Sequence, residues 1–162
     1  MGLLYCLPPI VDARAQVLIL GSFPSEASLA AGQYYAHPRN QFWPMLAAVI
    51  GQPLAALPYA ERLPLVQSAG IAIWDVYASC LREGSLDTAI RDGKENDFSA
   101  LLRAAPGLRR VCFNGRAAAR FAPRLAEAGL ETWILPSTSP AHAGMSFAAK
   151  VACWQEALRP QG

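Results

Sequence analysis

Val17-Leu18-Ile19-Leu20-Gly21-Ser22-Phe23-Pro24-Ser25 is the stretch that decides the fold. Four apolar residues, two of them β-branched, stop on a glycine and a serine. The run is too short for a helix and does not alternate with polar residues, so it suits a strand covered on both faces. Three more runs share this form: 71–76, then 111–113 leading into Asn114-Gly115, and 133–135 leading into Pro136-Ser137-Thr138.

Helical patterns separate the runs. Phe42, Met45, Leu46 and Ile50 recur at helical spacing and are closed by Gly51. A second helix is expected over 60–68, with Gly70 as its stop, and a third from a cap at Asp97 to Ala104, ended by Pro106-Gly107. Residues 115–121 read as helical, with Pro123 forcing a break or restart before Gly129, and 147–158 closes the chain before Pro160. Strands alternating with helices predict an α/β three-layer sandwich, a central four-stranded parallel sheet flanked by helices, with residues 1–162 as one domain. Ligands of such sheets bind beyond the carboxyl ends of the strands. Segments 21–25, 75–79, 114–116 and 137–142 should therefore ring one crevice.

Composition sets outer bounds. In 162 residues, 53% are hydrophobic and 16% charged, enough to build a core and unlike a disordered chain. No apolar run approaches the roughly 20 residues that span a bilayer. The start, Met1 to Pro9, lacks the basic and apolar regions of a signal peptide, so a cytoplasmic, nucleoid-associated location of prokaryotic type is expected. A net charge of +2 does not announce a nucleic-acid binder. Twelve of the 14 basic residues are Arg, which fits phosphate contacts and equally fits an Arg-biased codon usage. Cys6, Cys80, Cys112 and Cys153 lie too far apart for a zinc or iron–sulfur site. Cys112 and Cys153 read as core thiols, and neither a metal nor a cofactor is expected.

The loop after the first strand could be an ordinary exit turn. It is not a Walker loop, since no Gly-Lys-Ser/Thr follows, and not a G-x-S-x-G nucleophile elbow. Ten residues on stands Tyr34-Tyr35-Ala36-His37-Pro38-Arg39-Asn40-Gln41-Phe42-Trp43, and late in the chain Leu135-Pro136-Ser137-Thr138-Ser139-Pro140-Ala141-His142. Together with Gly21-x-x-Pro24 and the polar exit Phe113-Asn114-Gly115-Arg116, these motifs resemble the uracil-DNA glycosylase superfamily. The similarity is to its mismatch-specific uracil/thymine enzymes and above all to its deoxyinosine (hypoxanthine) branch. The order Trp74-Asp75-Val76, Ser79-Cys80, Gly84-Ser85-Leu86-Asp87 is similar to that branch too. The matches run in order from Val17 to Ser146.

The resemblance implies an enzyme that cuts a deaminated base, hypoxanthine first and uracil second, out of DNA and leaves an abasic site. A base in a duplex must be extruded into a pocket before it can be attacked. For the pocket wall the resemblance implies Gly21, Ser22 and Phe23, with Tyr35 as stacking platform and Asp75 or Ser79 as readers of the base. Tyr34 or Tyr35 could instead pack beneath the loop. Many family members carry a carboxylate or Asn where this chain has Phe23, so the duty of holding water passes to Asn40. An amide positions water but is a poor general base. Asn40 could also cap the helix that follows. Ser137 stands where some relatives carry a catalytic His, which again implies a mild catalyst.

Ser25, Asn114, Arg116, Ser139, His142 and Met145 are the candidates for DNA contact. Asn114 and Arg116 open a helix, and His142 or Met145 could fill the gap left by a flipped base. His37 could be chemical or merely structural, and Arg82 and Glu83 could line the site or form a solvated loop. Neither Lys, 94 or 150, lies in a motif, so water rather than an amine is the expected nucleophile. The expected partner is DNA containing a deaminated base, bound by a monomer without membrane or metal. Two rivals remain: a damage-binding protein with little catalysis, and a hydrolase of small molecules.

Overall fold

A computed structural model describes residues 2–159. Its centre is a four-stranded parallel sheet of β2 (Val17–Gly21), β3 (Ile71–Asp75), β6 (Arg110–Asn114) and β7 (Glu131–Leu135), in the order β3-β2-β6-β7. All four expected strands are present within one or two residues. Helices flank the sheet as expected: α2 (Phe42–Ile50), α3 (Tyr59–Ser68), α4 (Phe98–Ala104), α5 (Arg116–Ala119), α6 (Ala122–Glu127) and α7 (Phe147–Ala157). Asp97 caps α4 by accepting from the Ser99 N–H, and Gly51 ends α2 in the left-handed conformation (φ 69°). Pro123 separates α5 from α6, restarting the helix at its first turn. Pro160, expected to stop the last helix, lies outside the described residues.

The fully buried β2 and β3 explain why their sequences are continuous apolar runs. β7 departs from that expectation. It is one edge of the sheet, and Ile134 is 61% exposed, whereas the other edge, β3, is covered by the chain around Ile10, which bonds to Ile73. Leu18, Ile19, Leu20, Ile73 and Phe113 from the strands join Phe42, Met45, Leu46 and Trp154 from the helices in one core, every one of them at most 1% exposed. Cys112 is buried in this core, and Cys153 packs half-buried at its margin. Among the described residues no helix is long and apolar enough to cross a membrane.

A second, antiparallel sheet was not anticipated. It pairs β1 (Leu4–Tyr5), β4 (Tyr77–Leu81) and β5 (Arg91–Glu95). Its strands carry no readable pattern: β1 has two residues, and β5 is Arg-Asp-Gly-Lys-Glu, almost wholly exposed. A short helix α1 (Glu26–Ala31), capped by Ser25, was missed as well.

The parallel register aligns the carboxyl ends that matter. Gly21 is level with Asp75, and Asn114 with Leu135. Asn96 fixes the end of β3 by donating from Nδ2 to the Asp75 carbonyl oxygen at 2.8 Å. The chain leaving each strand therefore opens onto the same end of the sheet.

Candidate active site

A cavity of about 230 Å³ opens at that end. Ligand pockets usually span about 300–1,000 Å³, so this one suits a single small heterocycle rather than a large cofactor. Eleven of the 14 candidate residues line it: Gly21, Ser22, Phe23, Ser25, Tyr35, Asn40, Asp75, Asn114, Ser137, Ser139 and His142. Ser79, Arg116 and Met145 do not. Ser79 is buried within β4, level with Tyr5 of β1, because the chain re-enters a strand at Tyr77, just after β3 ends. Arg116 is exposed on α5, and Met145 is half-buried in the loop before α7.

Gly21 has a steric task. A Cβ there would come within 2.6 Å of Asp75 Oδ1 and 3.0 Å of the Tyr35 hydroxyl. Only glycine lets these two oxygens converge at the strand exit. Both groups are buried polar atoms without a protein partner: the Tyr35 hydroxyl and Asp75 Oδ2 make no hydrogen bond. Such atoms are rare in folded proteins and costly, which marks the niche as a place for a ligand. Burial pushes the Asp75 carboxyl up to about 7, with the Asp87 charge adding to the rise and Arg82 opposing it. Burial, then the Asp75 charge, likewise raises Tyr35, so its phenol stays protonated.

Tyr35 is held in a backbone conformation that L residues rarely adopt, with φ 55°. One face of its ring is stacked on Phe42, with centroids 3.9 Å apart and planes 17° apart. The side chain also lines the cavity, where its hydroxyl is without a hydrogen-bond partner. Tyr34 is the residue that packs beneath the loop, 3% exposed, its hydroxyl donating to the Pro8 and Leu7 carbonyls. Buried Ser28 fixes the loop from α1 by accepting from the Ala36 N–H at 3.0 Å.

Asn40 stands one residue ahead of Gln41, the N-cap of α2, and still serves the start of that helix. Its Oδ1 accepts from the Phe42 N–H at 2.9 Å at the start of α2, and the side chain still lines the cavity. An amide oxygen has two lone pairs, so this cap leaves one acceptor site and the NH2 group available. The neighbouring Gln41 N–H donates to the Thr138 carbonyl at 2.9 Å, joining the two signature loops.

Behind the wall, Arg82 is buried rather than solvated, unlike the exposed Glu83. Its guanidinium lies 5.2 Å from the Phe23 ring centre and donates to the Pro24 carbonyl at 2.6 Å, bracing the 21–25 loop. On the cavity side Ser22 donates to the carboxylate of Asp87, a lining residue that the sequence reading had not singled out.

The second loop is equally well fixed. The Asn114 carboxamide grips Thr138 twice, donating to Oγ1 and accepting from the N–H, each at 3.0 Å. Its side chain thus shapes the loop. Gly115, at φ 95°, leaves room for Ser137, whose Cβ would lie 3.1 Å from an added Cβ. Ser137 Oγ accepts from the Ser139 N–H, and Ser139 Oγ from the Ala141 N–H. Buried Lys150 ties the loop down, its ammonium donating to the His142 carbonyl at 2.7 Å and to Gln41 Oε1 at 3.0 Å. His142 itself sits exposed on the rim, and His37 Nδ1 accepts from the Arg39 N–H away from the cavity. Asn114→Ala removes both bonds to Thr138. We expect a loss of about 1–3 kcal/mol in urea unfolding and a raised KM with a smaller change in kcat.

Among the described residues no cluster of three or more His, Cys, Asp or Glu side chains could hold a metal ion.

With this geometry in hand, comparison with known proteins is direct. The family model of the Uracil DNA glycosylase superfamily matches residues 8–158. A protein of Methanosarcina barkeri named hypoxanthine DNA glycosylase is 40% identical over 94% of this chain and 96% of its own length. One of the same name from Methanosarcina acetivorans is 42% identical over 83% of this chain and 85% of its own. A solution NMR structure of a Methanosarcina acetivorans protein, described as a candidate uracil DNA glycosylase, superposes with a TM-score of 0.85 at 37% identity. That match covers 98% of this chain and all of the other. The motifs at the strand exits and these matches agree: the chain belongs to the uracil DNA glycosylase superfamily.

Proposed function

We propose that this DNA glycosylase flips a deaminated base from DNA, hypoxanthine in preference to uracil, and hydrolyses its bond to the sugar with water as nucleophile. Superfamily membership supports base-excision repair, and the names of the two Methanosarcina relatives support hypoxanthine. The observation that carries the reading is the pair of unpartnered buried groups, Asp75 Oδ2 and the Tyr35 hydroxyl, at a cavity fit for one base. A flipped base would satisfy them with its polar edge while stacking on Tyr35, a contact worth about 1–3 kcal/mol.

As the bond breaks, positive charge grows on the sugar and negative charge on the departing base. Asn40 orients a water through its amide, which is positioning rather than proton abstraction. Ser137 and the rim of the second loop, with His142, face the DNA. No Lys lines the cavity, and the Lys150 ammonium is taken up by Gln41 and His142, which favours water over an amine nucleophile. The reading is of a monomer working as a single domain on nucleoid DNA.

One assay tests the reading. Labelled duplexes carrying inosine, uracil, xanthine or a G·T mismatch are incubated with the protein, then heated in alkali to cleave abasic sites. Cleavage fastest at inosine and slower at uracil is expected. Cleavage at uracil alone would reverse the assigned preference. A second reading, a damage-binding protein, draws on Phe23, which puts an apolar ring on the wall where relatives place a polar catalyst. Tight binding to the inosine duplex without cleavage would select it.

A further inference from the structure

The niche beside Gly21 also bears on how the base leaves. Asp75 closes the end of β3, 3% exposed, with Oδ2 unpartnered and Oδ1 against the bare Gly21 backbone. Its surroundings are anionic or neutral except on one side. From the loop after α1 comes the Tyr35 phenol, a donor, with Tyr34 behind it; from the turn after β4 comes the carboxylate of Asp87, anchored by Ser22. Beside β1 lies the Cys6 thiol, and at the end of β4 the Arg82 guanidinium, already turned to the Pro24 carbonyl. A carboxyl so placed cannot shed its charge to water and has no cation bonded to it.

We infer that Asp75 is the general acid of the reaction, giving its proton from the carboxyl to an acceptor atom of the flipped purine as the glycosidic bond breaks. The inference rests on the proposed hydrolysis of a deaminated purine. The C1′–N9 bond cleaves with its electron pair passing to the base, and the Asp75 proton makes the base leave neutral. Water held by Asn40 bonds to C1′ and releases one proton to solvent. Asp75 then recovers one proton from solvent, so the sum is DNA plus water giving abasic DNA plus free base. The raised proton affinity of Asp75, set by burial and Asp87, keeps this acid loaded near neutrality. This also answers the absence of a carboxylate at position 23: activating the leaving group relieves the demand on the attacking water.

A general acid with folded pKa near 7 works below that pH and fails above it, because only the protonated form can donate. Single-turnover excision of inosine from a duplex, followed from about pH 5.5 to 8, should therefore fall as pH rises through about 7. Asp75→Asn, which can donate a hydrogen bond but no proton, should be slower at the acid end by roughly 10²-fold or more and flat across the range. Asp87→Asn removes the neighbouring charge and should move the falling limb of the profile to lower pH while leaving Asp75 in place. A falling limb that persists in Asp75→Asn, or wild-type rates in that variant, would overturn the inference. Should Asp75→Asn not fold, the Asp87→Asn profile decides alone, and an unmoved limb rejects the role. Failure of the wild-type protein to release hypoxanthine at any pH would instead reject the proposed function on which the inference rests.

Discussion

Asn40→Ala should bind inosine-containing duplex about as tightly as the wild-type protein and lose excision by roughly 10²-fold or more, the scale of a reactant group moved out of position. The loss should appear in kcat and not in KM, because the amide meets the water and not the base. The cap complicates this test, since Oδ1 also accepts from the Phe42 N–H. Losing a cap costs about 0.5–2 kcal/mol, which thermal unfolding would register. Asn40→Ser separates the two roles: a serine restores an N-terminal cap but lacks the carboxamide. Recovered stability with activity still lost is the expected pair of results. Full activity in either variant would remove Asn40 from the reaction.

Gly21→Ala has the second large effect, for a steric reason. The added methyl would sit 2.6 Å from Asp75 Oδ1, a separation that carbon and oxygen do not tolerate. Asp75 cannot retreat, because its main chain is registered against β2 and held by Asn96. Tyr35 is no freer, stacked on Phe42 and pinned through its neighbour Ala36 by Ser28. The methyl must therefore push one of these groups into the cavity. Overpacking of this kind costs about 1–3 kcal/mol, so the variant should fold with a lowered midpoint in urea. Its lesion binding should weaken along with excision, unlike Asn40→Ala, because the pocket floor itself is altered. Unchanged binding of inosine duplex by Gly21→Ala would mean that the base does not reach this niche.

The parallel sheet and the crevice were legible in the sequence because strands buried on both faces must be continuously apolar and must end on small or polar residues. Val17–Gly21 shows this rule at its simplest. The antiparallel β1-β4-β5 sheet obeys no such rule: with β5 carrying Arg, Asp, Lys and Glu, its pairing is set by long-range backbone contacts to β4 rather than by composition. The strand that contains Ser79 was hidden for the same reason, since its pairing with β1 and β5 joins distant parts of the chain. The edge position of β7 was hidden because topology, not local sequence, decides which strand is outermost.

At the site, the motif residues could be placed by their position after each strand, but their bonding could not. Asn114, a candidate DNA contact by its place at a helix start, also grips Thr138, 24 residues away. Arg82, ambiguous in sequence, is buried against Phe23 and donates to the Pro24 carbonyl, 58 residues earlier in the chain. Asp87 could have been flagged by the Gly84-Ser85-Leu86-Asp87 turn, yet its bond to Ser22 spans 65 residues. These contacts depend on three-dimensional proximity that no local pattern encodes.

The most direct test of the central claim is to identify what leaves the DNA. Inosine-containing duplex is incubated with excess protein, the small-molecule fraction is analysed by mass spectrometry, and abasic sites in the remaining DNA are counted. Free hypoxanthine released in equal amount to abasic sites, with strands uncut until alkali is added, is the predicted result. An inosine duplex that binds and stays intact, with no free base from it, would contradict the account.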